Sequence, residues 1–157
     1  MDESLIQLAN EVRAKTLWLL DGVTDEVAHF AAPGLTNSIL WHAGHALVVV
    51  EYLGVAPATG RPPSVPEGWF DKFGWDSRPG NVTDWPSISD VVTELRGQLP
   101  RLTEAITALS PQQLNHVLGP PHDESLRYLI VHGLHDEANH QGEIWLLRKM
   151  FAKSRKD

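Results

Sequence analysis

Apolar residues recur every three or four positions over four long stretches of the chain, and this spacing predicts amphipathic helices. No stretch alternates apolar and polar residues with the period of two that a half-buried strand requires. The pattern therefore predicts an all-α fold, a four-helix bundle with up-down-up-down order apart from one long connection. The expected helices span roughly residues 4–30, 37–53, 87–109 and 123–152.

Residues that favour helix ends refine these boundaries. Thr24 and the acids after it predict that the first helix restarts there, and Gly54 predicts the end of the second. Ser110 followed by Pro111 predicts a short extra helix before the fourth. Pro100 lies inside the third stretch, where we expect a kink or a break because proline has no N–H to donate.

The connection between the second and third helices, residues 54–86, lacks helical periodicity but is rich in large side chains. It contains Trp69, Phe70, Phe73, Trp75 and Trp85. Disordered segments are poor in aromatic residues, so we expect an ordered loop that packs on the bundle.

Composition and charge narrow the class of protein. The 157 residues are 42% hydrophobic and 21% charged, which is typical of one globular domain covering residues 1–157. The net charge of −7, without a basic face, argues against nucleic acid as a partner. The acidic start is unlike a signal peptide and the apolar runs are short, so we expect a cytoplasmic protein without a membrane partner. The absence of cysteine excludes thiolate ligands, and any metal must be held by nitrogen and oxygen.

One face of the fourth helix carries ionisable side chains in the middle of an apolar stripe. Charged groups on a core-facing stripe are costly unless they are paired or bind a metal. The stripe consists of Leu129, His132, Asp136, His140, Glu143, Leu147 and Met150.

The second helix offers a matching imidazole, because His45 lies on an apolar face with Trp41, Val48 and Tyr52. His45, Asp136 and His140 together form a set suited to one divalent zinc, nickel or iron ion per chain, with a coordination position open for water or substrate. A hydrogen-bonded core histidine and a polar helix surface explain the same residues without a metal.

The segments NSILWHAGHALVVVEYL and LHDEANHQGEIWLLRKM, separated by the aromatic loop, resemble the DinB-like superfamily of damage-inducible and thiol-dependent transferase-type proteins. The resemblance implies a four-helix bundle of unusual helix order, a homodimer and a metal site of three histidines. The W-x-x-G-H pattern of the family matches Trp41, Gly44 and His45. The end of its second motif matches His140 and the Gln141–Glu143 segment.

The chain departs from the family at Asp136, where the resemblance implies a histidine. Either Asp136 is the third ligand, or the helix opens so that His135 reaches the ion, or the metal has been lost. We favour Asp136, because one residue of helix turns a side chain by about 100° and points His135 away from His140. His132 is the reserve ligand or a partner of a ligand, and Glu143 is the candidate catalytic residue that orients an imidazole or a bound water.

Other polar and aromatic residues receive plainer interpretations. We expect His42 to lie on the surface or in a groove, although it could border the site. Glu137 and Arg148 fit an interhelical or dimer contact. Trp69 and Trp75 could line a substrate cleft or simply anchor the loop.

The resemblance implies a metal-dependent enzyme that transfers a low-molecular-weight thiol to an electrophile, or a related hydrolase. Its partners would be a small-molecule substrate and a second copy of the chain. The alternative is a non-catalytic, stress-associated bundle with a polar core network and no metal, which binds a small ligand or a protein partner.

Overall fold

The computed structural model describes residues 2–155, and this part of the chain forms helices joined by turns and loops. A π-helical turn, Glu51–Val55, joins the helix Ile39–Val50 to the helix Ala56–Thr59 in one continuous rod. The helices are α1 Glu3–Leu20, α2 Asp25–Ala28, α3 Ile39–Val50, α4 Ala56–Thr59, α5 Trp69–Phe73, α6 Ile88–Ala108, α7 Pro111–Leu114 and α8 Leu126–Ser154.

Side-chain caps fix most helix starts where the sequence predicts them. Thr24 accepts a hydrogen bond from the Val27 backbone N–H, which confirms a restart at α2. Ser110 caps α7 with Pro111 in its first turn. The predicted start of α8 is wrong by three residues: Asp123 has a φ of +54°, which is not helical, and Ser125 is the cap.

Two predicted helix breaks do not occur. Gly54 lies inside the π-helical turn and not at a helix end, and the rod stops at Gly60, whose φ is +66°. Pro100 lies within a continuous α6, so the helix does not break there, and the kink stays a prediction. Pro100 and Arg96 are both exposed, so the Arg96 carbonyl, which loses its helical partner, can bond to water.

The helix order is up-down-down-up, which corrects the predicted up-down-up-down order. α1 and α8 run parallel, because Asp2 bonds to Arg127 near one end and Arg148 to the Leu19 carbonyl near the other. α3 packs antiparallel on α8 and parallel to α6. The connection between α3 and α6 must therefore return along the bundle, which explains its length.

The long connection is anchored as expected. Trp69 and Phe73 of α5 are buried against the core, whereas Trp75 is 56% exposed. All twelve residues of α3 are buried. The rod Ile39–Thr59 is long and apolar enough to span a membrane, but 94% of its most apolar window is covered by the rest of the bundle, as in the core helix of a soluble fold.

A polar network crosses the interior between these helices. Arg13 is 1% exposed and holds Glu137, which is fully buried, through bonds of 2.8 and 2.9 Å. Arg13 also donates to Gln98, which donates to Glu51, and Glu51 pairs with Arg101. The network joins α1, α6, α8 and the α3 rod by charge-assisted bonds.

We expect Glu137→Gln to lower the free energy of unfolding by about 3–5 kcal/mol, because Arg13 then keeps a buried charge without its partner. Urea denaturation measures this change. In the double variant Arg13→Met/Glu137→Leu no charge is stranded, and much of the loss should be recovered.

The matched control is Arg155→Gln, which removes an ion pair whose side chains are 62% and 67% exposed. It should change stability by less than about 1 kcal/mol. Equal effects of the buried and exposed substitutions would contradict the role of the network.

Candidate metal centre

Three side chains converge where α3 packs against the middle of α8. One ligand atom from each of His45, Asp136 and His140 lies within 4.8 Å of the others. His45 Nε2 is 3.7 Å and His140 Nε2 is 3.4 Å from Asp136 Oδ2. Two ligands about 2.1 Å from a tetrahedral ion lie about 3.4 Å apart, so the spacing fits one divalent ion.

The backbone around His45 sets which of its nitrogens is free. Its Nδ1 is 2.6 Å from the Phe73 carbonyl oxygen, which can only accept, so Nδ1 carries the proton. Its Nε2 therefore presents a lone pair towards Asp136. This carbonyl–imidazole contact is the arrangement that orients metal-binding histidines.

Trp41 and Gly44 hold the ring in this position. Trp41 stacks on His45 with ring centroids 4.6 Å apart and an angle of 19°. A Cβ added at Gly44 would lie 2.3 Å from the Phe73 ring, so only glycine lets Phe73 approach. The W-x-x-G-H pattern thus encodes one packed unit of indole, imidazole and Phe73.

His42 supports the second imidazole. Its Nδ1 is 2.8 Å from Nδ1 of His140, and when His140 donates this bond its Nε2 is left free for an ion. Burial, followed by the charges of His140 and His45, lowers the pKa of His42 to about 3, so His42 is neutral at physiological pH. The prediction of a surface or groove role for His42 is wrong, since it is 7% exposed and borders the site.

Asp136 carries the clearest sign of a missing partner. Among buried side-chain nitrogen and oxygen atoms of residues 2–155, its Oδ2 is the one without a hydrogen-bond partner. A buried polar atom in this state is unusual unless an ion or water satisfies it.

The protonation states also suit metal binding. Burial alone would raise the pKa of Asp136, but contact with His140 and the charges of nearby histidines outweigh it and lower the value. Burial lowers the pKa of His45, although its bond to Phe73 acts in the opposite direction. The set at neutral pH includes an ionised carboxylate and a neutral His45 imidazole, the forms that bind divalent metals.

The comparisons with known proteins agree with this fold. The family model described as the DinB superfamily matches residues 8–144. The chain belongs to the DinB superfamily. A solved structure, a conserved protein from Enterococcus faecalis, superposes with a TM-score of 0.69 at 14% identity over 94% of each chain, a likeness of fold alone. No curated protein matches the chain.

In this member of the DinB superfamily, Asp136 occupies the position where the resemblance implies a histidine ligand. His135 and His132 are both exposed, and His132 contacts Tyr128. Glu143 is exposed and makes no side-chain hydrogen bond or ion pair within the described residues, so its catalytic role stays a prediction. Glu137 and Arg148 form interhelical contacts, as expected.

The aromatic loop meets the centre at two places that sequence reasoning did not identify. The Phe73 carbonyl bonds to His45, and Ser77 accepts a bond from the Trp41 indole. Trp75 lies edge-on to His45 with ring centroids 5.9 Å apart, whereas Trp69 packs in the core.

We expect protein purified without a metal-affinity tag and loaded with zinc to hold about one ion per chain. His45→Ala, Asp136→Ala and His140→Ala should each abolish stoichiometric binding, because each removes one of three ligands. Elemental analysis after gel filtration measures the ratio.

His132→Ala and His135→Ala are the matched controls, since both remove an imidazole from an exposed position on the same helix. Both should keep the metal. Loss of zinc in His135→Ala, with retention in Asp136→Ala, would assign the third ligand to His135 instead.

Proposed function

We propose that this DinB superfamily protein is a divalent-metal-dependent enzyme that transfers a low-molecular-weight thiol to an electrophile, with a related hydrolase as the variant of the same chemistry. The supporting observation is that His45 Nε2 and His140 Nε2 lie 3.7 and 3.4 Å from Asp136 Oδ2, a buried atom without a hydrogen-bond partner. Three protein ligands leave a coordination position for a reactant, as in catalytic zinc sites.

The nitrogen and oxygen donors suit zinc, nickel or iron, one ion per chain. An ion held there supplies a Lewis acid that lowers the pKa of a thiol or a water molecule. Asp136 adds a negative charge relative to a site of three histidines, and we expect it to weaken that acid.

The residues of the chain provide orientation and proton transfer. Phe73 and Trp41 fix the His45 ring, and His42 fixes His140. Glu143 lies one helical turn beyond His140 on α8 and is exposed. In this proposal Glu143 accepts the proton that the thiol or water loses and passes it to solvent.

The location and partners proposed for this activity are those that the sequence predicts. We place the protein in the cytoplasm as a homodimer that acts on a small molecule, without nucleic acid or membrane partners. Light scattering after gel filtration measures the oligomeric state.

The proposed activity can be tested with 2-mercaptoethanol and 1-chloro-2,4-dinitrobenzene on zinc-loaded protein. The sulfur bonds to the ring carbon, chloride leaves, and the thiol proton passes to Glu143. We expect Glu143→Gln to lower kcat/KM by about 10²–10⁴-fold with unchanged zinc content.

Glu104→Gln is the matched control, because Glu104 is an exposed glutamate on α6. It should leave the rate unchanged. Stoichiometric zinc without any rate above the uncatalysed reaction would contradict the proposed transferase. Failure to bind any divalent metal would support the non-catalytic bundle.

A further inference from the structure

A cavity of about 400 Å³ lies beside the candidate metal centre, and its lining includes Trp41, Trp75, Ser77 and Arg78. Trp41 stacks on His45 and Trp75 lies edge-on to the same ring. Two of the rings that line the cavity therefore also contact the candidate metal ligand His45. A volume of this size accommodates a small molecule.

Several of the polar groups around this cavity can donate hydrogen bonds. Arg78 is its single charged lining residue, and forms no ion pair among residues 2–155. Ser77 Oγ accepts from the Trp41 indole, which leaves its own O–H to donate. Asn37 Oδ1 accepts from Thr36, which leaves the Asn37 amide N–H groups to donate.

A second cavity of about 520 Å³ shares Arg78 and Trp75 and adds the carboxylates of Asp71 and Asp76. Neither carboxylate lies within ion-pair distance of Arg78 in the described structure. Arg78 is exposed, and within residues 2–155 no carboxylate pairs with it directly; the residues that line the cavity on the side towards Trp41 include no acid.

A planar guanidinium pairs best with a planar carboxylate, to which it donates two parallel bonds. We propose that the cavity bounded by Trp41, Trp75 and Arg78 binds the carboxylate of the small molecule that reacts at the metal centre. The inference rests on the proposed function for the reaction, but the carboxylate subsite itself is a separate claim. The proposed subsite implies that the small thiol, or the electrophile that accepts it, carries a carboxylate.

Three thiols of similar size differ in the charge at the end opposite the sulfur, and so test whether that charge affects binding: 3-mercaptopropionate, 2-mercaptoethanol and cysteamine. With zinc-loaded protein, we expect 3-mercaptopropionate to bind about 10–100-fold more tightly than 2-mercaptoethanol, because it adds a charge-assisted contact to Arg78. Cysteamine should bind no better than 2-mercaptoethanol. Isothermal titration calorimetry measures the three dissociation constants.

Arg78→Gln should abolish the preference for 3-mercaptopropionate without changing zinc content or the affinity for 2-mercaptoethanol. Arg78→Lys should restore part of the preference, since it keeps the charge but loses the paired donors. Arg61→Gln is the matched control, because Arg61 is an exposed arginine that lines other cavities. A preference that survives Arg78→Gln, or that is absent from the wild-type protein, would overturn the subsite.

Propionate and methyl phosphate, added to chelator-treated protein, test the subsite without metal or sulfur. Propionate should shift the indole N–H signals of Trp41 and Trp75 in NMR spectra, and Arg78→Gln should remove the shift. Tighter binding of methyl phosphate would overturn the carboxylate assignment. If the protein binds propionate but takes up no metal, the proposed function is refuted and the carboxylate subsite stands. If thiols bind only in the presence of metal and without preference for a carboxylate, the subsite is refuted and the proposed function stands.

Discussion

The buried ion pair between Arg13 and Glu137 fixes the rotation of α8 in the bundle, and the candidate site depends on that rotation. Glu137 and Gln141 lie one turn apart and both bond to α1. Asp136 and His140 each precede one of them by one residue, or by about 100° around the helix. Because the face of α8 that carries Glu137 and Gln141 is bound to α1, the neighbouring face that carries Asp136 and His140 is turned towards α3 and His45. A polar network exists, as the metal-free alternative requires, but it is built on Glu137 and leaves Asp136 Oδ2 without a partner.

The long aromatic connection serves both the fold and the centre. Because α3 and α6 are parallel, the chain must return along the bundle between them, and α5 packs against α3 on the way. This packing brings the Phe73 carbonyl to His45 and requires glycine at position 44. The same segment places Trp75 against the His45 ring and Arg78 in the lining of the adjoining cavity. The long connection therefore both orients the candidate ligand His45 and forms part of the adjoining cavity.

The four long helices and the grouping of His45, Asp136 and His140 were predictable from the sequence, because helical spacing and the cost of buried charge are local or pairwise properties. The helix order was not, since an amphipathic pattern shows which face is buried but not which helix covers it. His42 was misjudged because α3 is buried on all sides, so its polar positions carry no periodic signal. The Phe73 carbonyl was missed because a backbone group has no sequence signature. The helix breaks predicted at Pro100 and Gly54 do not occur, because solvent exposure at Pro100 and a π-helical turn at Gly54 accommodate residues that otherwise end helices.

The central claim is that α3 and α8 share one divalent ion through two imidazoles and a carboxylate. X-ray diffraction from zinc-loaded crystals, recorded above and below the zinc absorption edge, tests it most directly. The account predicts an anomalous peak about 2.0–2.2 Å from His45 Nε2, His140 Nε2 and Asp136 Oδ2. A peak coordinated by His135 or His132 in place of Asp136, or no peak between the two helices at full zinc loading, would contradict it.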